Sequence, residues 1–465
     1  MPSKITRQQR AAVLQLLAQG DDRETIAAAT GVTPGQVSAI AAHVTMGTYT
    51  LPNPDEAASS GPLAESGGKS SSLLQRIRDH EETAQPEQHL RPVLLGSDAE
   101  TSEDVFWNPD PNTGAANPHV LVLGESGFGK TYTICCLLGE LAQQGVLSIV
   151  LDYGQGFSAT SLPPEFVAAI KPKEILASRD GIDINPLQLF PSDMLGPVNV
   201  AQRVADTFGR VYSKMGVQQH AVLRQAVLDV MEDEGIVPGD AESWTRALPV
   251  FGSLRQKVHS YASDPSSAQS RIAASVASHV STMFVYNTFR SNGHRLSWPE
   301  MMQSQSRVFV IQLKGLEYSL ERAVTEFLLW NLTGYIESLG PSPLRCFVVL
   351  DEAHKLSFDR GSPTEKLLRE GRKFGLGLII ASQQPEDFSP VAFANTGTKI
   401  VFQVGDDSSV ISRQLHRKVR NAHSFTDIYQ VITKLPRGSA YLASQNVGQV
   451  VQITSFPERM QRWRV

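Results

Sequence analysis

Apolar residues fall in two regimes along the chain. Residues 4–19 place Val13, Leu14, Leu16 and Leu17 at helix-compatible spacing and stop at Gly20. A second short helix is predicted over Arg23–Thr30, closed by Gly31, and a third begins at Thr33 with Pro34 in its first turn. Small Ala27 at the expected crossing, Gly31 at the turn, and Val37 and Ile40 beyond it make residues 1–47 resemble a helix-turn-helix, a small all-α domain. Residues 48–89 turn to Pro, Ser, Gly and Glu and read as a flexible linker.

From residue 90 to 465 the regime is different. Continuous apolar runs occur at His119–Leu123, Leu147–Leu151, Val308–Leu313, Arg345–Leu350, Leu376–Ser382 and Thr398–Val404, with helical patterns between most of them. Strands apolar on both faces are those buried on both faces, so the pattern predicts an α/β domain around a largely parallel sheet. Residues 197–305 interrupt the alternation with long helical stretches such as Val200–Met231 and read as a helical insertion. Ser439–Ala443 and Gln449–Ile453 flank a short polar segment as a closing hairpin, followed by a basic tail with Arg459, Arg462 and Arg464.

Composition narrows the classes. Of 465 residues, 41% are hydrophobic and 19% charged, which is ordinary globular usage. No apolar run approaches the ~18 residues that span a bilayer, and the opening MPSKITRQQR lacks the apolar core of a secretory signal, so the expected location is the cytoplasm, without a membrane. Cys135, Cys136 and Cys346 have neither disulfide nor zinc-ligand spacing and are expected as buried small residues. The net charge of -5 offers a polyanion no general attraction, so any nucleic-acid contact must be local.

Two motifs carry chemistry. His119-Val-Leu-Val-Leu-Gly124-Glu125-Ser126-Gly127-Phe128-Gly129-Lys130-Thr131-Tyr132 is a strand, a glycine-rich loop and a helix start, the context a P-loop needs. Glycines 124, 127 and 129 let backbone amides turn toward the phosphates of ATP, Lys130 bridges the β- and γ-phosphates, and the Thr131 hydroxyl ligates Mg2+. Phe347-Val-Val-Leu-Asp351-Glu352-Ala-His354 puts two carboxylates at the end of an apolar strand, a Walker B arrangement in which Asp351 holds the magnesium and Glu352 polarises the attacking water. Leu378-Ile-Ile-Ala-Ser-Gln383-Gln384 ends another apolar strand in amides, and Gln383 is the candidate γ-phosphate sensor. Upstream, Arg369-Glu-Gly-Arg372-Lys373 offers an arginine to a neighbour's nucleotide, although surface ion pairing accounts for the spacing equally well.

In this order the motifs resemble the HerA/FtsK superfamily of motor ATPases, in its HerA-like branch, over about Leu90–Ile453; the Ile149–Asp152 strand, Ile184-Asn-Pro-Leu187 and Asn395-Thr-Gly-Thr-Lys-Ile400 add to the set. The resemblance implies a RecA-like P-loop NTPase core and a homohexameric ring with ATP at subunit boundaries. It also implies Gln383 as sensor and Arg372, or alternatively Arg369, as the arginine acting between subunits. It further implies duplex DNA as the track and a protein effector such as a nuclease, in phage defence or DNA processing. A nucleotide-switched scaffold that activates an effector without moving DNA shares the same residues.

DNA contacts are thinly signalled. In residues 1–45, Lys4, Arg7, Arg10 and Arg23 face Asp21, Asp22 and Glu24, and the third helix carries Gln36 and Ser38 but no Lys or Arg. Arg413, Arg417, Lys418 and Arg420 form the densest basic stretch of the ATPase domain and are the candidates to line a DNA path.

Overall fold

The computed structural model describes residues 12–14, 16–17, 23–34, 36–37, 40, 90–110, 117–266, 269–285, 288–289, 297–405, 408–419, 424–444 and 447–463. The chain divides into two units, Met1–Gln85 and Pro86–Val465. The 48–89 linker expectation, Arg420 and Arg464 lie outside the described residues.

In the first unit a helix runs over Arg23–Thr30 and ends where Gly31, at φ 68, enters the left-handed region and donates its amide to Ala27 O at 3.0 Å. Thr33 starts the next helical turn: its amide donates to Gln36 Oε1 at 2.9 Å and its hydroxyl oxygen accepts from Gln36 N at 3.3 Å, a reciprocal cap. Val13, Ile26, Ala27, Val32, Val37 and Ile40 form a local apolar core. Gln36 is thereby engaged in capping its own helix.

The second unit is built on an eleven-stranded sheet. Its strands are β1 (Val93–Asp98), β2 (Asp104–Trp107), β3 (Val120–Leu123), β4 (Leu147–Asp152), β5 (Lys173–Leu176), β6 (Val308–Gln312), β7 (Cys346–Leu350), β8 (Leu376–Ser382), β9 (Thr398–Val401), β10 (Ser439–Ser444) and β11 (Val447–Ile453). The order across the sheet is β2-β1-β11-β10-β9-β3-β8-β7-β4-β6-β5. From β9 to β5 every neighbouring pair is parallel; β10, β11, β1 and β2 extend one edge antiparallel.

Strand alternation sorts the core into two layers. Leu121, Leu123, Ile149, Leu151, Val348, Leu350, Leu378 and Ile380 face one side, where they join helices Pro197–Val211, Val217–Asp233, Phe251–Ser263, Ser270–Val285 and Tyr318–Ser338. Val120, Val122, Val150, Phe347, Val349, Ile379 and Ala381 face the other, under helices Lys130–Gln143, Pro164–Ile170 and Phe456–Trp463. All three cysteines are buried and unpaired, and burial pushes the Cys136 and Cys346 thiols up to about 11 and about 12.

Three details differ from the sequence reading. The stretch Val200–Met231 is two helices, because the first ends at Val211 and the second restarts beyond Gly216, whose amide donates to Gln219 Oε1 at 2.7 Å. β1, β2 and β5 were not anticipated. The expected basic tail is instead a docked helix: Arg459 is fully buried and donates to the carbonyls of Leu94, Leu95 and Thr454, and Arg462 pairs with Asp104 at 2.5 Å.

Candidate nucleotide site

β3 is a run of four buried apolar residues, and the chain leaves it at Gly124. Two backbone bonds root the loop: Gly124 N donates to Ser382 O at the end of β8 (3.3 Å), and Glu125 N donates to Gln403 O beyond β9 (2.8 Å). Gly124 has φ 151, and a Cβ there would lie 2.5 Å from Phe402 Cβ, so this root admits only glycine. Gly127 (φ 83) and Gly129 (φ 116) are also in the left-handed region. Gly129 leads into the Lys130–Gln143 helix with no side chain capping its first amides, which leaves those donors for an anion. Ser126 and Gly127 are exposed at the loop's rim, Phe128 is half-buried, and the Tyr132 hydroxyl accepts from Phe456 N at 2.8 Å and so is committed to the C-terminal helix.

Lys130 Nζ folds back to donate to Gly124 O at 2.6 Å and Glu125 O at 3.0 Å, filling the loop that phosphates would occupy. Burial pulls its pKa down, opposed by the charges of Asp351, Glu352 and Glu125. Asp351, at the end of β7, is pushed up to about 7, first by burial and then by the neighbouring carboxylates of Glu352 and Asp152. A carboxylate that resists ionising beside two others calls for a cation.

The donors around Asp351 suit magnesium. A Cβ on Gly156 would stand 3.5 Å from Thr131 Cγ2 and 3.9 Å from both Thr131 Oγ1 and Asp351 Oδ2, so the two oxygens border one gap that the glycine leaves open. Among the described residues no group of three or more His, Cys, Asp or Glu side chains forms a metal cage. A magnesium ion here would be held by the Thr131 and Asp351 oxygens, with water and phosphate completing its shell. Asp152, fully buried at the end of β4, shapes the loop carrying Gly156. Its carboxylate accepts from Gly154 N (3.0 Å), Phe157 N (2.8 Å) and Gln312 Nε2 (2.7 Å).

Glu352 occupies the left-handed region at φ 70, a strained setting that costs a non-glycine residue ~1 kcal/mol or more. Its carboxylate accepts from Gln383 Nε2 at 3.3 Å and lies 3.4 Å from His354 Nδ1. Because β8 runs between β3 and β7, Gln383 emerges between the P-loop and the Asp351–Glu352 pair.

The arginines sit elsewhere. Helix Pro363–Glu370 and the turn Gly371–Phe374 lead into the N-terminal end of β8, whereas Gln383 follows its C-terminal end, about 20 Å away at ~3.3 Å per residue. Arg369 pairs with Glu365 one turn back on its own helix, and Arg372 is exposed. Neither side chain spans that distance to this chain's own site. Sequence reasoning also missed the Asp152–Gly156 loop, and it missed Arg437, whose guanidinium lies 6.0 Å from the Phe128 ring.

Sheet order, P-loop and paired strand-end carboxylates define a P-loop ATPase with a RecA-like core. Residues 113–332 match the family described as Helicase HerA, central domain. The DNA double-strand break repair helicase HerA of Saccharolobus solfataricus is 22% identical over 301 residues, covering 62% of this chain and 54% of its own. Its namesake in Sulfurisphaera tokodaii is 22% identical over 385 residues, covering 78% and 67%. The chain thus spans between about half and two thirds of these relatives' length. Among solved structures, VirB4 of Thermoanaerobacter pseudethanolicus superposes with a TM-score of 0.62 at 20% identity, over 79% of this chain and 98% of that one. The plasmid coupling protein TrwB in complex with ADPNP gives 0.52 at 15%, over 85% and 96%. The chain is thus similar to HerA helicases over its central residues, and these similarities support a HerA/FtsK-like P-loop ATPase.

Proposed function

We propose that this chain hydrolyses ATP at the subunit boundaries of a homohexameric ring and couples the cycle to movement on duplex DNA. One observation carries the reading: Lys130, Thr131, Asp351, Glu352 and Gln383 gather at the C-terminal ends of parallel strands, while Arg369 and Arg372 stand at the opposite end of β8. A site complete except for its arginine, on a chain with arginines facing away, is suited to a neighbour's contribution.

In this reading the triphosphate lies on the amides of Gly127–Thr131, and Lys130 exchanges the carbonyls of Gly124 and Glu125 for phosphate oxygens. Thr131 and Asp351 hold magnesium, which when bound supplies positive charge against the phosphates. Glu352 orients a water and takes its proton as the oxygen bonds to the γ-phosphorus; the bond to the β–γ bridging oxygen breaks and ADP leaves. Gln383, whose amide donates to Glu352, would couple the γ-phosphate to that carboxylate. Exposed Arg413 and Arg417, one turn apart on helix Ser408–Lys418, with Lys418, are the proposed DNA contacts. A nuclease or similar effector is the proposed partner, in phage defence or DNA processing, and the role of residues 1–47 in DNA or partner docking belongs to the same proposal. Among the described residues no helix is long and apolar enough to cross a membrane.

The test is steady-state ATP hydrolysis with and without linear duplex DNA, with Glu352→Gln as control. DNA stimulation abolished by the substitution supports the motor. Hydrolysis indifferent to DNA favours the nucleotide-switched scaffold, and hydrolysis surviving in Glu352→Gln removes Glu352 from the chemistry.

A further inference from the structure

The turn Leu435-Pro436-Arg437-Gly438, between helix Phe425–Ile432 and β10, lies directly against the phosphate loop. Gly438 N donates to Phe128 O at 3.2 Å, and Ile453 N donates to Gly438 O at 2.9 Å, so one residue is bonded to the loop on one side and to β11 on the other. Gly438 takes φ +78, and its Cα comes within 3.9 Å of where a Cβ on Gly129 would be. The turn is therefore part of the loop's wall.

Arg437 projects from this turn. Its Nη2 lies 4.0 Å from the position a Cβ on Gly127 would take, and its Cζ lies 6.0 Å from the Phe128 ring centroid, at the outer limit of a cation–π contact. The residue is exposed, and among the described residues no carboxylate forms an ion pair with it. A guanidinium stays charged at any working pH and presents five donors in a planar fork matched to phosphate oxygens. Here that fork is tethered at the rim of a loop whose own amides are turned for phosphate.

We propose that Arg437 contacts the phosphates of the nucleotide bound in its own chain, as a second cation beside Lys130. The inference rests on the nucleotide-binding reading of the P-loop and adds to it a residue supplied in cis. In the proposed ring Arg372, or alternatively Arg369, would act across a boundary and only in an assembly. Arg437 is bonded to the loop through the adjacent residue and engages nucleotide whether or not a neighbour is present.

The experiment is equilibrium binding of fluorescent ATP and ADP analogues to the full chain. It compares wild type, Arg437→Ala, Arg437→Lys and, as reference, Lys130→Ala, each checked by thermal melting. Arg437→Ala is expected to bind ATP about tenfold or more weakly, as the loss of a charge-assisted contact requires, with partial recovery in Arg437→Lys. A larger loss for ATP than for ADP assigns the contact to the γ-phosphate, and equal losses assign it to the α- or β-phosphate. Wild-type affinity in Arg437→Ala, with Lys130→Ala defective, overturns the inference and leaves the P-loop reading intact; failure of the wild type to bind either analogue overturns the P-loop reading itself.

Discussion

Replacing Asp351 with asparagine should stabilise the nucleotide-free protein while removing its response to magnesium and ATP. The Asp351 carboxyl moves from 3.8 to about 7 on folding, so the folded state holds the proton more tightly than the unfolded one. Below pH 4 or so both states are protonated and the group contributes nothing; as pH rises toward about 7 the unfolded chain ionises first and stability is lost; above that the loss is constant. Roughly three pKa units at ~1.4 kcal/mol each set a ceiling of ~4 kcal/mol, and solvent reaching this half-buried group brings the expectation to ~2 kcal/mol, or about 4 °C in Tm. Asparagine keeps the shape and cannot ionise. Thermal melts in EDTA between about pH 5 and pH 8 should show the variant's advantage widening with pH and levelling off near neutrality. In magnesium and ATP the order should reverse, because only the wild type gains ligand stabilisation. A Tm difference that is flat across pH, or a variant less stable than wild type when empty, would refute the electrostatic account of this site.

Glu352→Gln should reduce hydrolysis by about a hundredfold or more while leaving analogue binding intact, and an equal loss of binding would contradict a role confined to the chemical step. Arg459→Met removes a guanidinium that satisfies the carbonyls of Leu94, Leu95 and Thr454 and strands the Glu140 carboxylate 3.4 Å away, so a loss of ~3 kcal/mol is expected by chemical denaturation. A midpoint equal to wild type would show that solvent replaces those bonds. Arg417→Glu combined with Lys418→Glu should abolish DNA stimulation and flatten its salt dependence while basal hydrolysis persists; unchanged stimulation would take that helix out of the DNA path.

β3, β4, β6, β7, β8 and β9 were anticipated because they are buried along their length, where an unbroken apolar run is itself the signal, and β10 and β11 because they flank a short polar segment; β1 is buried too, but its apolar run stops after three residues at Gly96. β2 alternates exposed and buried residues over only four positions, and β5 reads Lys-Glu-Ile-Leu at the sheet's far edge, so neither yields a run long enough to register. The P-loop was legible because its work is done by consecutive residues, as was the Asp351–Glu352 pair. Gly156 and Arg437 were not, and Asp152 was read only as the end of a motif-bearing strand with no role of its own, because these residues reach the site from β4 and from the turn before β10, and their relevance exists only once the sheet order is set. Arg459 shows the opposite hazard: a cation near the end of the chain reads as solvated, and only the packing of its helix on β1 shows it to be a buried staple.

The same topology bears on how a ring of such chains would work. β3, β8 and β7 are parallel neighbours, so in the proposed reading their C-terminal ends meet the nucleotide, while the arginine-bearing turn stands at the N-terminal end of β8. His119 joins two of these strands at that N-terminal end. It is fully buried, its Nδ1 accepts from Leu378 N at 3.0 Å, and burial, then the charge of Arg372, pushes its pKa down to about 3, which keeps it a neutral acceptor. At the other end, Ser382 O accepts from Gly124 N and the Ser382 hydroxyl donates to Asp387, closing the turn that carries Gln383. β3 and β8 are thus pinned at both ends, one pin beside Arg372 and the other beside Gln383. In the proposed ring, a shift of the Gly371–Phe374 turn on gripping a neighbour's phosphates passes down two short, fully packed strands to the residues that hold Glu352. The site one subunit completes and the site it owns would then be coupled through a rigid element rather than a flexible loop.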